Sequence, residues 1–523
     1  MLDHEPLSVA AEAGQILPLY ILEPCLWNQP DVSYRHYIHL RHYLSQLEAM
    51  FERKGCKLII KVGDALTILK SLVSKHNIER IYSHYETWNK FTRNRDKTIR
   101  EWVAENSVDW IECQQNGVVK NLKCRDGWST LWHNYMRKKI YEVPKKIHGI
   151  SEDSDKLPSP QDLNLEFDGF KPNRDFGTTE PEIVLKSFLH ERGENYQREM
   201  SGPLLSEKSC SRLSTHIAYG TISIRTIFQR TEEQAQKNKG LFGGTKRNWQ
   251  ASYNSFQKRL RWHCHFIQKL EDLKSIEWKN IHPVYDKLKR ETSHSKNFER
   301  WTRGETGFPF VDACMRSLIS TGWINFRMRA MLVSFASYNL WIDWRPTSLY
   351  LAKLFSDYEP GIHYSQVQMQ SGTTGINTIR IYNPIKQGLE HDPQGKFIKK
   401  WVPELRDIPV ANIHTPWETP ELLGNYPKPI VDEKQSRVSA SSRIYELKNL
   451  KTARYQAEAI WKKIGSRRTS ENDYLKSKNL KPDYFELRDD CLNKIDFNGF
   501  NGKKVFLASV TINKTRLIDN IEF

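Results

Sequence analysis

Apolar residues in the first 135 positions recur at two different spacings. Short runs rich in Ile, Leu, Val and Tyr predict strands at Ile16–Leu22, Lys57–Val62, Ile78–Tyr82 and Val108–Gln114. Between them Leu40, Leu44, Leu47 and Phe51 share one helical face with Gly55 as the stop, and residues 64–76 and Arg93–Glu105 repeat the helical pattern. Strand alternating with helix predicts an α/β layer on a parallel sheet. From about 145 to 180 Ser, Asp, Pro, Asn and Gly take over, which is the composition of a surface connector. Beyond 185 strand signals fade, and Val311, Met315 and Leu318, then Met331, Phe335 and Tyr338, follow a helical period. These shifts divide the chain into an α/β unit (1–135), a connector (136–190), a mostly α domain (191–465) and a Lys- and Asn-rich tail (466–523) with one predicted strand, Val505–Ile512.

At about 150 residues per domain, 523 residues allow two to four domains. Hydrophobic residues at 38% and charged residues at 27% are a globular balance and exclude wholesale disorder. The net charge of +17 favours polyanions such as nucleic acid. The most apolar stretch, Met331 to Trp344, is interrupted by Ser334, Ser337, Asn339 and Asp343, so no membrane span is predicted. The first residues carry no basic, apolar leader, which predicts a cytoplasmic protein. Eight cysteines lie scattered without zinc-type spacing, so reduced thiols and no metal site are expected.

Four stretches in the helical part carry candidate chemistry. Tyr196 and the run SCSRLSTHIAYGTIS, Ser209 to Ser223, place small hydroxyls around a helix start, where they either hold a diphosphate or simply cap the helix. RLRWHCHFIQKLED, Arg259 to Asp272, is a helix with Arg259 three residues before Trp262. The third stretch runs from Trp301 to Trp344 and the fourth from Ser356 to Pro384; each alone reads as aromatic helical core.

Taken in order, SRLS, the RW at 261, G-x-T-G-F-P-x-V-D-A-C-M-R, the R-x-R at 327, IDWR, D-x-E and RIYNP make the chain resemble the photolyase and cryptochrome superfamily. The resemblance is loose over the α/β unit and close over roughly residues 185 to 465. It implies a Rossmann-like α/β domain joined to an all-α domain that holds a bent FAD, with blue-light absorption followed by electron transfer. Matched position by position, it implies that Tyr196, Ser211, Leu213 and Ser214 serve the FAD phosphates. It places Arg329 and its partner Asp357 near the flavin ring, Glu359 at the ring edge, and His363 where repair enzymes carry an asparagine. An imidazole there is expected to offer a hydrogen bond as the asparagine does.

Several positions depart from the family pattern. Trp262 keeps the first stacking platform for a flipped lesion, but Arg259, Phe326, Ala330 and Met369 replace a glutamate, an asparagine, a methionine and a second tryptophan. Phe326 and Ala330 also stand where (6-4) enzymes carry a histidine pair. Of the usual three-tryptophan chain, Trp344 matches the middle member, while Val367 and Glu291 hold the inner and outer places. Trp341, Tyr338, Tyr364 and Trp323 are either another route or ordinary core. Arg327, Arg380 and Lys386 fall in segments that face DNA in the family. Asp3 and His4 match a pair that follows a first strand in relatives; either translation starts upstream or the parallel sheet is broken at its centre. No antenna chromophore is assigned.

The resulting expectation is an FAD-dependent lyase that works as a monomer on pyrimidine dimers in damaged DNA. Trp262, His363 and Trp344 carry its chemistry, and Arg259, Trp262, Phe326, Arg327 and Arg380 contact DNA. The alternative is a cryptochrome-type light receptor without repair.

Overall fold

The elements follow the apolar spacing closely. A computed structural model describes residues 1–170, 172, 179–238 and 243–465, and the strand backbones of 481–489, 504–512 and 515–522. Part of the connector and much of the tail, Cys491 included, lie outside the described residues. Residues Met1–Ile464 form one compact unit and Gly465–Phe523 a second.

In the first unit α1 (Glu5–Ala13), β1 (Leu19–Leu22), α2 (Tyr34–Glu52), β2 (Ile59–Val62), α3 (Ala65–His76), β3 (Arg80–His84), α4 (Lys90–Glu105) and β4 (Asp109–Cys113) alternate. Local chemistry sets their ends. The Asp64 carboxylate accepts from the Thr67 N–H and starts α3, which stops at Asn77 in the left-handed region; Asn89 caps α4 in the same way. β1 pairs with β2 in parallel, Leu19 opposite Ile59, and β3 with β4, Arg80 opposite Asp109. The expected parallel sheet is thus two separate two-stranded sheets. Among the described residues no strand lies between β1 and β3, so each keeps an unpaired edge.

From residue 185 to 464 the described chain is helical apart from loops and one isolated bridge. The helices used below are α5 (Tyr196–Glu199), α6 (Ser214–Ala218), α7 (Gly243–Asp272), α8 (Pro309–Thr321), α9 (Phe326–Ser334), α10 (Trp344–Leu354) and α11 (Pro360–Gln370). Their apolar stripes meet in one core that holds Val311, Met315, Leu318, Met331, Phe335 and Trp344. The second unit contains a three-stranded antiparallel sheet, β5 (Lys481–Asp489), β6 (Lys504–Ile512) and β7 (Thr515–Glu522), in that order; the predicted strand at Val505–Ile512 lies within β6. No helix among the described residues is long and apolar enough to cross a membrane.

One side chain ties the α/β part to the helices. Arg35 on α2 is wholly buried, and its Nε donates to Asp168 (2.6 Å). Nη1 donates to the carbonyls of Leu354 (3.0 Å) and Leu318 (3.4 Å), and Nη2 to that of Ile319 (3.1 Å). These carbonyls close α8 and α10, where a cation also meets the negative helix ends. Arg35→Met leaves those acceptors without donors and is expected to cost about 3 kcal/mol in urea unfolding. Arg35→Lys should recover only part of the loss, because one ammonium cannot reproduce the planar fork.

Candidate flavin and nucleic-acid site

The thirty-residue α7 buries Tyr253, Phe256, Leu260, Cys264 and Ile267 on its core face. Trp262 falls on the other side and is 43% exposed. The Arg259 guanidinium lies 4.5 Å over its ring, and Arg259 Nη2 is 3.9 Å from Met200 Sδ. Just before α9, the Asn325 amide donates to the carbonyls of Met200 (3.0 Å) and Ser201 (2.9 Å). Phe326, the first residue of α9 and 44% exposed, is thereby anchored to the same short segment as Arg259. Ala330 is buried in the core, so it presents nothing at this surface. Arg327 is half-buried and Arg380 exposed.

Deeper in the domain Arg329 grips Asp357 through both oxygens, at 2.9 and 2.8 Å, and its Nε donates to the Ile324 carbonyl at 2.8 Å. Its guanidinium also lies 4.2 Å over the Phe355 ring. Burial acts to raise the Asp357 pKa, but the Arg329 charge and hydrogen bonds from Arg329 and Ser214 outweigh it and leave the carboxyl lowered. The pair is therefore ionised at neutral pH.

Two titratable groups of α11 and its N-cap are held neutral. His363 on α11 lies within electrostatic reach of both Arg329 and Asp357, and burial lowers its pKa to about 4. Its Nε2 meets the Ser348 carbonyl at 2.9 Å, so in the neutral ring Nε2 carries the proton and Nδ1 is an acceptor. The hydrogen-bond donor expected at this position is thus committed to Ser348. Glu359 opens α11 with Oε1 accepting from the Gly361 N–H (3.3 Å), and burial raises its pKa to about 8. It is a protonated acid, able to donate.

The hydroxyl segment divides. Leu213 is fully buried at the start of α6, its N–H reaching Ser211 Oγ at 3.5 Å, and Ser214 bonds Asp357. Tyr196 packs edge-on against Phe188 and Phe256, with its hydroxyl bonded to Arg259. Arg259 thus meets the buried Tyr196 on one side and the exposed Trp262 ring on the other.

Trp344 is 1% exposed, donates Nε1 to Asn280 (2.7 Å) and meets Tyr364 edge-on at 6.4 Å. Of the other aromatic candidates, Trp323 lies under Arg212, Trp341 lies between Arg290 and Arg443, and Tyr338 belongs to a separate cluster. Val367 is core and Glu291 is exposed.

Two residues escaped the sequence reading. Gln366 is buried with both amide atoms unpartnered, one helical turn from His363; its i+3 spacing was the available signal. Arg212 sits inside SRLS in the left-handed region, its guanidinium 3.5 Å over Trp323, and nothing in the pattern marked it. The buried Gln366, its amide donor and acceptor both unpartnered, suits a ligand whose edge carries both, as the flavin pyrimidine ring does. The residues present fit FAD. Among the described residues no cluster of His, Cys, Asp or Glu is placed to hold a metal.

Residues 256–446 match the FAD binding domain of DNA photolyase, and residues 1–128 match DNA photolyase. A deoxyribodipyrimidine photo-lyase of Vibrio cholerae is 32% identical over 482 residues, covering 85% of this chain and 96% of that protein. The chain belongs to the DNA photolyase family. A class III photolyase structure from Agrobacterium tumefaciens superposes with a TM-score of 0.73 at 24% identity, over 86% of this chain and 95% of that one. A Synechocystis cryptochrome superposes equally well, at 0.73 and 21% identity over 84% and 96%. Fold alone therefore does not separate repair from sensing.

The Glu359 assignment is checked by pH. Stability from its neutral carboxyl is fully present below the unfolded pKa of about 4.3 and is lost as pH rises toward the folded value of about 8. The melting temperature of Glu359→Gln relative to the parent should therefore climb across that window and stay level below pH 4.

Proposed function

We propose that the protein is a deoxyribodipyrimidine photo-lyase: it binds damaged DNA, takes a flipped pyrimidine dimer at Trp262 and splits it by light-driven electron transfer. The observation that carries this reading is the exposed Arg259–Trp262 stack, which shares the Met200–Ser201 segment with the anchor of the exposed Phe326, while Arg259 also meets the buried Tyr196. FAD, when bound, supplies light absorption and one-electron chemistry.

The chain's own residues do the holding. Tyr196, Ser211, Leu213 and Ser214 form the phosphate side. Arg329, locked by Asp357, sets a fixed positive charge at the pocket wall. Glu359 and Gln366 offer donor and acceptor edges, while the neutral His363 presents Nδ1. Trp262 and Phe326 give π faces for an extruded base, and base stacking requires a face more than any one hydrogen bond. Arg259 offers only donors, so it suits a base carbonyl or a phosphate. Arg327 and Arg380 add phosphate contacts, supported by the +17 charge. Trp344 with Tyr364 is the buried aromatic pair through which an electron is resupplied. On this reading residues 1–135 are an antenna-type domain, 136–190 a connector, 191–465 the catalytic domain and 466–523 a tail.

The test is to reduce the purified protein, illuminate it with defined cyclobutane and (6-4) substrates, and measure restored bases. Restoration of one lesion is expected; restoration of neither, with light-driven flavin reduction intact, overturns the reading in favour of a sensor. Trp262→Ala should weaken damaged DNA by about 2 kcal/mol, roughly thirty-fold, and leave intact DNA unchanged. Arg329→Ala should purify with its flavin absorbance largely lost at unchanged helix content.

A further inference from the structure

Glu291, exposed at the outer place of the aromatic chain, has no side chain that can carry an electron. Its backbone is pinned beside Trp341: the Glu291 N–H donates to the Trp341 carbonyl (2.9 Å), and the Asp343 N–H donates to the Glu291 carbonyl (2.8 Å). Trp341 is thus the aromatic residue held next to the vacated place. Its ring, however, has the Arg290 guanidinium at 4.8 Å and that of Arg443 at 4.9 Å. Two cations against one indole oppose the positive charge that an oxidised ring carries. Trp344 has the Arg345 guanidinium at 4.9 Å, and Asp343 offsets that charge at 3.0 Å. The positive charge left by electron loss therefore rests more easily on Trp344 than on Trp341.

A cavity of about 240 Å³ reaches Trp344. It is lined by the exposed Asp286 and by the buried Tyr285, Thr373 and Trp344, so it runs inward from the surface. Most of its polar groups are engaged. Asn280 accepts from Trp344 Nε1 (2.7 Å) and donates to Asp286 (2.6 Å), Asp343 holds Arg345, and Thr373 donates to the Gln368 side chain (2.9 Å). Arg290, which also lines it, is the exception: Nη2 donates to the Ser371 carbonyl (3.0 Å), but Nε and Nη1 are shielded from water without a partner. Burial lowers the Arg290 pKa, as expected of a cation short of a counterion; Asp343 lies within its electrostatic reach but is committed to Arg345. What the cavity lacks is an acceptor for this guanidinium. Its volume lies below the roughly 300 Å³ at which pockets for drug-sized ligands begin, so the occupant is small.

We propose that this cavity is the docking site of a small anionic electron donor of the enediolate class, held by Arg290 against Trp344, so that the electron is resupplied at Trp344 and the absent outer tryptophan is bypassed. The inference rests on the reading of Trp344 as an electron carrier. An enediolate presents an oxyanion to Arg290 and gives up one electron without forming a bond. That electron passes to the oxidised Trp344 indole, which returns to its closed-shell form. The donor leaves as its one-electron-oxidised radical, and the proton it sheds goes to water at the Asp286 end of the cavity.

The test titrates ascorbate, a simple enediolate, into the flavin-loaded protein in two ways. In the dark, calorimetry should find one site, about ten-fold weaker in Arg290→Met and partly restored in Arg290→Lys. Under saturating blue light the initial rate of flavin reduction should saturate with ascorbate, and Arg290→Met should raise the half-saturating concentration about ten-fold at an unchanged plateau. The rate with neutral dithiothreitol should rise linearly and be the same in both proteins. In the unaltered chain squarate, a non-reducing oxyanion, should compete with ascorbate, an arm that does not depend on how the variants fold. Repair by protein reduced beforehand should be unchanged in Arg290→Met. Absence of dark binding, or a linear ascorbate dependence that neither Arg290→Met nor squarate alters, overturns the inference. Loss of light-driven reduction in Trp341→Phe overturns it too, since the electron would then enter at Trp341. Trp344→Phe checks the reading beneath: it should abolish light-driven reduction with either donor, and reduction that survives it overturns the electron path itself, which separates that failure from a failure of the docking site.

Discussion

A guanidinium removed from water organises this molecule. Arg35 lies on a helix of the α/β part, yet its hydrogen bonds end on the last turns of α8 and α10 in the helical part. Its neighbour His36 repeats the device: burial lowers its pKa to about 4, and its Nε2 meets the Phe355 carbonyl at 2.9 Å. Asp357 follows Phe355 by two residues, and Arg329 lies on the helix between α8 and α10. Two side chains of α2 therefore fix the backbone that carries the Arg329–Asp357 pair, although neither touches that pair. Removing a buried charge's partners is costly, which holds α2 firmly against the ends of α8 and α10 at this point.

Around that backbone, burial sorts the titratable groups by what each can be paid with. Asp357 has a guanidinium and a hydroxyl and stays charged; His363 and Glu359 have only single backbone partners and are held neutral. The result is one fixed ion pair with a neutral acceptor, His363, inside its field. Such an arrangement holds the Arg329–Asp357 charges fixed near neutral pH while a bound ligand changes oxidation state, because Asp357 stays ionised and His363 stays neutral there. The surface above is of another kind: exposed rings of Trp262 and Phe326, with cations that solvent can reach.

The α/β part shows the cost of an interrupted sheet. Its helices and turns form as the pattern requires, and each strand finds one partner, but the pairing stops at two strands on either side of a cavity. Strand spacing in the sequence carries no record of which strands are neighbours, so a single sheet and two half-sheets read alike until the chain is folded.

Much was legible beforehand because it is local. The four strands and α2, α3 and α4 of the first 113 residues, the connector's composition and the helical character beyond 185 all come from spacings of two to four residues and from capping groups beside them, whereas α1 was not predicted. The motif residues Arg329, Asp357, Glu359 and His363 were legible by type and order. What each does was not. The proton on His363 Nε2 is decided by Ser348, the acid form of Glu359 by burial, and the clamp of α2 on α10 by a contact between Arg35 and Leu354, 319 residues apart. Sequence by itself determined the elements and the chemical inventory; only tertiary structure decided charge state, hydrogen-bond direction and the gap between the sheets, since those depend on neighbours brought from far along the chain and on the water they displace.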